Sequence, residues 1–152
     1  MKKYILALCA AFLLALSTNV LAATPEAEVL SIEQQGAQKW MDTMLVKSDY
    51  KAARSQMSAE GQKGINEKQM KEKQDAIRKT LGKMQKYQFN AWVRLGNYDR
   101  IVYAAQFEKH PLVRCDIIVN QKGQVADFGL APVQQQTKQD AGDAKDKQKN
   151  KK

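Results

Sequence analysis

Residues Lys86–Leu130 read KYQFNAWVRLGNYDRIVYAAQFEKHPLVRCDIIVNQKGQVADFGL. Side chains alternate between apolar and polar through four segments: Tyr87–Leu95, Tyr98–Glu108, Leu112–Asn120 and Gln124–Leu130. Alternation with period two is the mark of a strand with one face buried. The links are Gly96-Asn97, His110-Pro111 and Gln121-Lys122-Gly123, short and built from turn residues. The segments therefore predict a four-stranded antiparallel meander. A two-residue Gly96-Asn97 turn sets Leu95 opposite Tyr98. Trp92, Ile101 and Tyr103 then share one face, and Phe89, Ala91, Val102 and Ala104 the other. In the third segment Val113, Cys115, Ile117 and Val119 form one face. Both faces of the first hairpin carry apolar residues, so the sheet calls for cover on more than one side.

Helices precede the meander. Thr24 can cap a helix, Pro25 suits its first position, and Glu26 and Glu28 fall in the positive first turn. That helix is expected to run to about Val46, with Val29, Ala37, Trp40, Met41, Met44 and Leu45 along its apolar stripe. Ser48-Asp49 restarts the chain into a short helix over residues 50–59, with Gly61 and Gly64 expected to break it. A third helix opens at Asn66 and runs to about Leu81, with Gly82 as its C-cap. Its stripe of Met70, Ile77 and Leu81 is thin and has Gln74 at the gap. The lysines and Arg78 on the remaining surface alternate with Glu67, Glu72 and Asp75, a pattern of ordinary surface pairing. The fold class is thus α+β, in one domain spanning residues 23–133.

The ends read differently. Residues 1–22 have the anatomy of a signal peptide: Lys2-Lys3, an apolar run from Tyr4 to Leu16, then Val20 and Ala22 at the small-residue positions before cleavage. That run is shorter than the roughly 20 apolar residues a membrane span needs. The expected location is the periplasm. Residues 134–152 hold no aromatic and no large aliphatic side chain, and read as a disordered basic tail. The formal charge of +9 is spread over these parts. Two of the positive charges belong to Lys2 and Lys3, and the tail sets six lysines against three aspartates. The folded part is only mildly basic, so no nucleic-acid partner is expected. Weak contact of the tail with an anionic surface is the remaining electrostatic option.

Site chemistry is sparse. His110 is the one histidine, placed beside Pro111 in a turn without a second histidine to pair with. Cys115 is the only cysteine beyond the leader, which excludes an intramolecular disulfide and leaves burial or dimerisation. One histidine and one cysteine do not make a zinc site, and no phosphate loop or nucleophile elbow is present. No metal, no cofactor and no catalytic residue is assigned. An isomerase-like site would need a carboxylate base and phenol donors, and Asp99, Asp116, Tyr87 and Tyr103 are the residues of those types on the strands.

Trp40-Met41, Ser48-Asp49-Tyr50, Arg78-Lys79-Thr80-Leu81-Gly82 and the segments Tyr98–Phe107 and Val113–Val125 follow one another in the order helix, helix, helix, meander. In this the chain resembles the small secreted bacterial domains of unknown function with the NTF2-like, cystatin-like fold. The resemblance covers about residues 28–132. It implies a bent sheet wrapped on the helices, with a cone-shaped cavity at its open end. Two functions stay open: a non-enzymatic binding or protein-interaction module, and a small pocket enzyme of isomerase or dehydratase type using a Tyr/Asp pair. If the face bearing Trp92 and Tyr103 lines the cone, Arg94 puts a cation near its rim. Trp92, Arg94 and Tyr103 are then the ligand-binding candidates, for a small amphipathic or anionic ligand. Another periplasmic protein, or a second copy of the chain in a dimer, is the alternative partner.

Overall fold

The computed structural model describes residues 24–133. The leader read in residues 1–22 and the tail read in 134–152 lie outside them. Helices α1 (Pro25–Met41), α2 (Tyr50–Ser55), α3 (Ala59–Gly64) and α4 (Glu67–Leu81) precede strands β1 (Met84–Arg94), β2 (Tyr98–Phe107), β3 (Val113–Asn120) and β4 (Val125–Pro132). The strands form one antiparallel sheet in the order β1-β2-β3-β4. The class is α+β, helices first and sheet second. Among the described residues no helix is long and apolar enough to cross a membrane.

Thr24 caps α1 by accepting from the Ala27 N–H, and Pro25 opens the helix. The chain then winds on through a π-helical turn, Asp42–Val46, in which the Lys47 N–H donates to Asp42 O at 2.9 Å. This wider turn keeps Thr43, Met44 and Leu45 buried beyond the point where α1 ends. Asn66 and Gln69 complete a reciprocal capping box at the start of α4. Gly82, at φ +80°, receives the end of α4, and its N–H donates to Arg78 O. Gln74, the gap in the α4 stripe, is buried and donates through Nε2 to Met44 O at 3.2 Å. The gap is thereby a hydrogen-bonded joint between α4 and the π-helical turn.

The helix expected over residues 50–59 ends at Ser55, and a second, unexpected helix follows over Ala59–Gly64. Ser58 accepts from the Gly61 N–H and starts α3, and Gly61 sits inside that helix rather than breaking it. The physical reason is close approach. A Cβ at Gly61 would stand 2.8 Å from Ala126 O and 2.9 Å from Val125 O. Just before α3, Met57 bridges Val125 in parallel, and the Ser58 N–H donates to Val125 O at 2.8 Å. This contact covers the beginning of the β4 edge.

Leu95 N–H donates to Tyr98 O at 2.9 Å across Gly96-Asn97, which fixes the expected register. Trp92 pairs with Ile101 and Arg94 with Asp99. Phe89 departs from expectation. An extra residue, Asn90, between Ala91↔Val102 and Phe89↔Tyr103 makes a bulge and shifts the alternation by one. Phe89 therefore meets Tyr103 edge-on at 6.2 Å instead of lying on the opposite face. Further irregularities fall between Met84 and Lys86 and at the start of β4, and each adds local twist. Val113, Cys115, Ile117 and Val119 are all fully buried, as their spacing requires.

The core lies between the sheet and the helices, filled by Trp40, Met41, Met44, Met70, Ile101, Tyr103, Phe107 and the β3 row. Trp40 is fully buried and tilted against Phe128 of β4 at 4.5 Å. Truncating such a residue to alanine costs about 3–5 kcal/mol. At the other end of the β3–β4 hairpin, Gly36 of α1 lies directly on Gly123. Gly123 is at φ +72°, and a Cβ on it would stand 2.6 Å from Ile32 O.

Candidate functional site: a groove beside β4 and a buried acid pair

Trp92 and Arg94 come together. The Arg94 guanidinium lies 4.9 Å from the centre of the Trp92 ring, a cation–π contact. Tyr103 lies on the same helix-facing side of the sheet but deeper. It is fully buried, with Tyr87 edge-on at 5.5 Å. Burial pushes its phenol up to about 12, against a smaller opposing pull from the Gln38 side chain. Tyr103 is covered by core packing, Trp92 is half-buried against that core, and Arg94 is exposed beside it.

What Trp92 touches is an acid pair. Its indole N–H donates to Glu33 Oε2 at 3.0 Å and to Asp99 Oδ2 at 3.1 Å. Asp99 also accepts from the Leu95 N–H at 3.3 Å and faces Arg94 Nε at 3.7 Å. Glu33 is 0% exposed and Asp99 3%. Burial first, then the Asp99 charge, raise the Glu33 carboxyl to about 7, and the Trp92 hydrogen bond pulls the other way. Of the remaining strand acids, Asp116 lies apart, paired with Arg114 at 2.7 Å and Arg100 at 3.9 Å. His110 stays in its turn, where its carbonyl accepts from the Phe107 N–H. Cys115 is buried, which pushes its thiol up to about 12. No cluster of three or more metal-ligating side chains occurs among the described residues.

A concavity lies elsewhere. A groove of about 680 Å³ runs between α3, α4 and β4. Met57, Ile65 and Phe128 give it apolar surface, and Gln69, Glu72, Lys73 and Asp127 give it polar surface. The Lys73 ammonium stands 4.9 Å from the centre of the Phe128 ring. Gly64, at the end of α3, faces open space: a Cβ there would meet nothing within 4 Å. The short α3 creates this groove, because Gly61 lets the helix lie on β4 while Gly64 leaves its far end uncrowded.

Comparison with known proteins finds no matching family model, no similar curated protein and no similar solved structure.

Neither Glu33 nor the groove was singled out in the sequence. Glu33 had a signal, since it falls four residues after Val29 and four before Ala37, on the apolar stripe of its helix. A charged residue at such a position needs a buried partner. The groove had none, because it depends on the Met57–Val125 bridge between distant parts of the chain.

Proposed function

We propose that the protein is a non-enzymatic binding module of the NTF2-like type, exported to the periplasm, and that the groove beside β4 is its binding surface. The observation that carries this reading is the groove itself. Its volume of about 680 Å³ falls within the range usual for small-molecule sites. Apolar Met57, Ile65 and Phe128 beside mixed polar side chains suit an amphipathic molecule, whose apolar part would lie on Phe128. Lys73 offers one cation, and Glu72 and Asp127 offer anions, so a strongly anionic ligand is less well matched than an amphipathic one. The export part of the reading rests on the leader anatomy, and the NTF2-like part on the order of helices and meander.

The pocket-enzyme reading has less support. Its Tyr/Asp pair would need Tyr103 beside an acid and open to substrate. Tyr103 is fully buried, and Asp99 is engaged by Trp92, Leu95 and Arg94.

The test uses anilinonaphthalene sulfonate as an amphipathic probe. Gly64→Phe places a ring in the open end of the groove, where nothing stands within 4 Å of the new Cβ. Saturable probe fluorescence in the parent and its loss in a folded Gly64→Phe protein are expected. Equal binding by both proteins, or none by the parent, would refute the groove.

A further inference from the structure

We propose that Glu33, Asp99, Trp92 and Arg94 form a proton-operated latch, which ties α1 to the β1–β2 hairpin and loosens when a proton shared by the two acids is lost. The latch joins distant parts of the chain: Glu33 comes from α1, Trp92 and Arg94 from β1, and Asp99 from β2. Both acids are out of solvent, and both accept from the same indole N–H. One donor serves two acceptors.

Charge does not balance if both acids ionise. The charged groups acting on Glu33 are Asp99 and Arg94. Arg94 is turned to Asp99, at 3.7 Å, and its side chain is 48% exposed. One guanidinium can offset one carboxylate, so the second carboxyl keeps its proton, as in other buried acid pairs. Glu33 is the one to keep it, being the more buried and not the partner of Arg94. Its Oε1 has no hydrogen-bond partner among the described residues. A protonated carboxyl supplies the O–H donor that the pair otherwise lacks. The rise of Glu33 to about 7 puts the release near neutral pH. Above it, two anions face each other across a single N–H. The repulsion is relieved when Glu33 moves toward water and takes the first turns of α1 with it.

The experiment is 19F NMR of the protein labelled with fluorotryptophan, titrated from mildly acidic to mildly alkaline pH. Trp40 and Trp92 are its two tryptophans, and Trp40, in the core, is the internal reference. The Trp92 resonance should titrate with a midpoint near 7 while that of Trp40 holds still. In Glu33→Gln the Trp92 resonance should stay at its acid-limit position throughout. Amide exchange in the first turns of α1, corrected for intrinsic rates, should speed up above the midpoint in the parent and not in the variant. A parent Trp92 resonance that does not titrate, or one that titrates identically in Glu33→Gln, would overturn the latch. If Glu33→Gln does not fold, Asp99→Asn decides. Removing the Asp99 charge should lower the midpoint toward the ordinary carboxylate range, and an unmoved midpoint would overturn the proposal.

Discussion

Replacing Gly36 by alanine should destabilise the protein, against the usual trend. Within a helix this change ordinarily gains about 1 kcal/mol, because glycine is the poorer helix former. Gly36 is well inside the 17-residue α1. An added Cβ, however, would overlap the carbonyl oxygen of Gly123 and stand 2.6 Å from its carbonyl carbon and 2.8 Å from its Cα. Comfortable carbon–carbon contact begins at about 3.5 Å, so helix and turn must part by at least about 1 Å. The obstacle is backbone, with no side chain to rotate away. Nor can the turn easily yield, because Gly123 is itself held at φ +72° close under Ile32 O. Overpacking of this kind costs about 1–3 kcal/mol, occasionally more. The upper end applies to a backbone clash, and the net loss should be about 2 kcal/mol after the helix gain. For a domain of this size that corresponds to a fall in Tm of roughly 10 °C. Urea denaturation should show a lower midpoint with an unchanged slope. Gly64→Ala is the control: with nothing within 4 Å, it should leave stability equal or slightly raised. A Gly36→Ala protein as stable as its parent would refute the close approach of α1 to the β3–β4 turn.

Three further outcomes are expected. Trp92→Phe keeps a ring under Arg94 but removes the only indole N–H shared by Glu33 and Asp99, and should cost about 1–3 kcal/mol in chemical denaturation; no loss would mean that the acids find other donors. Because Glu33 is raised from 4.5 to about 7, the folded state binds more protons than the unfolded one between those values. Its stabilisation is full below the lower value and lost as pH rises through the upper, so Tm should fall across that window in the parent and fall less in Glu33→Gln. The export reading predicts a mature chain that begins at Ala23 or Thr24, measured by intact mass in a periplasmic fraction; Met1 retained in a membrane fraction would contradict it.

The meander was legible because its signals are local. Alternation marked the strands, and Gly96-Asn97 set the register that pairs Trp92 with Ile101. The bulge at Asn90 was not legible. Nothing in FNAW distinguishes a bulged from a regular strand, yet it decides that Phe89 joins Tyr103. Gly61 looked like a helix breaker because glycine lowers helix propensity wherever it stands. Its use for close approach to Ala126 O depends on where α3 docks. The candidate site divides the same way. That Trp92, Arg94 and Tyr103 share a face followed from strand period together with the two-residue Gly96-Asn97 turn. What covers that face did not, since Glu33 reaches Trp92 across 59 residues of chain. Its place on the α1 stripe marked it as buried without naming its partner.

The groove as binding surface is tested most directly by an amide NMR titration with the anilinonaphthalene sulfonate probe. Saturable shifts are expected to concentrate on Ile65, Gln69, Lys73, Ala126 and Phe128, which line the groove, with β2 and the Arg94 amide unmoved. Shifts centred instead on Trp92, Arg94 and their neighbours, or scattered over the surface without saturation, would contradict it.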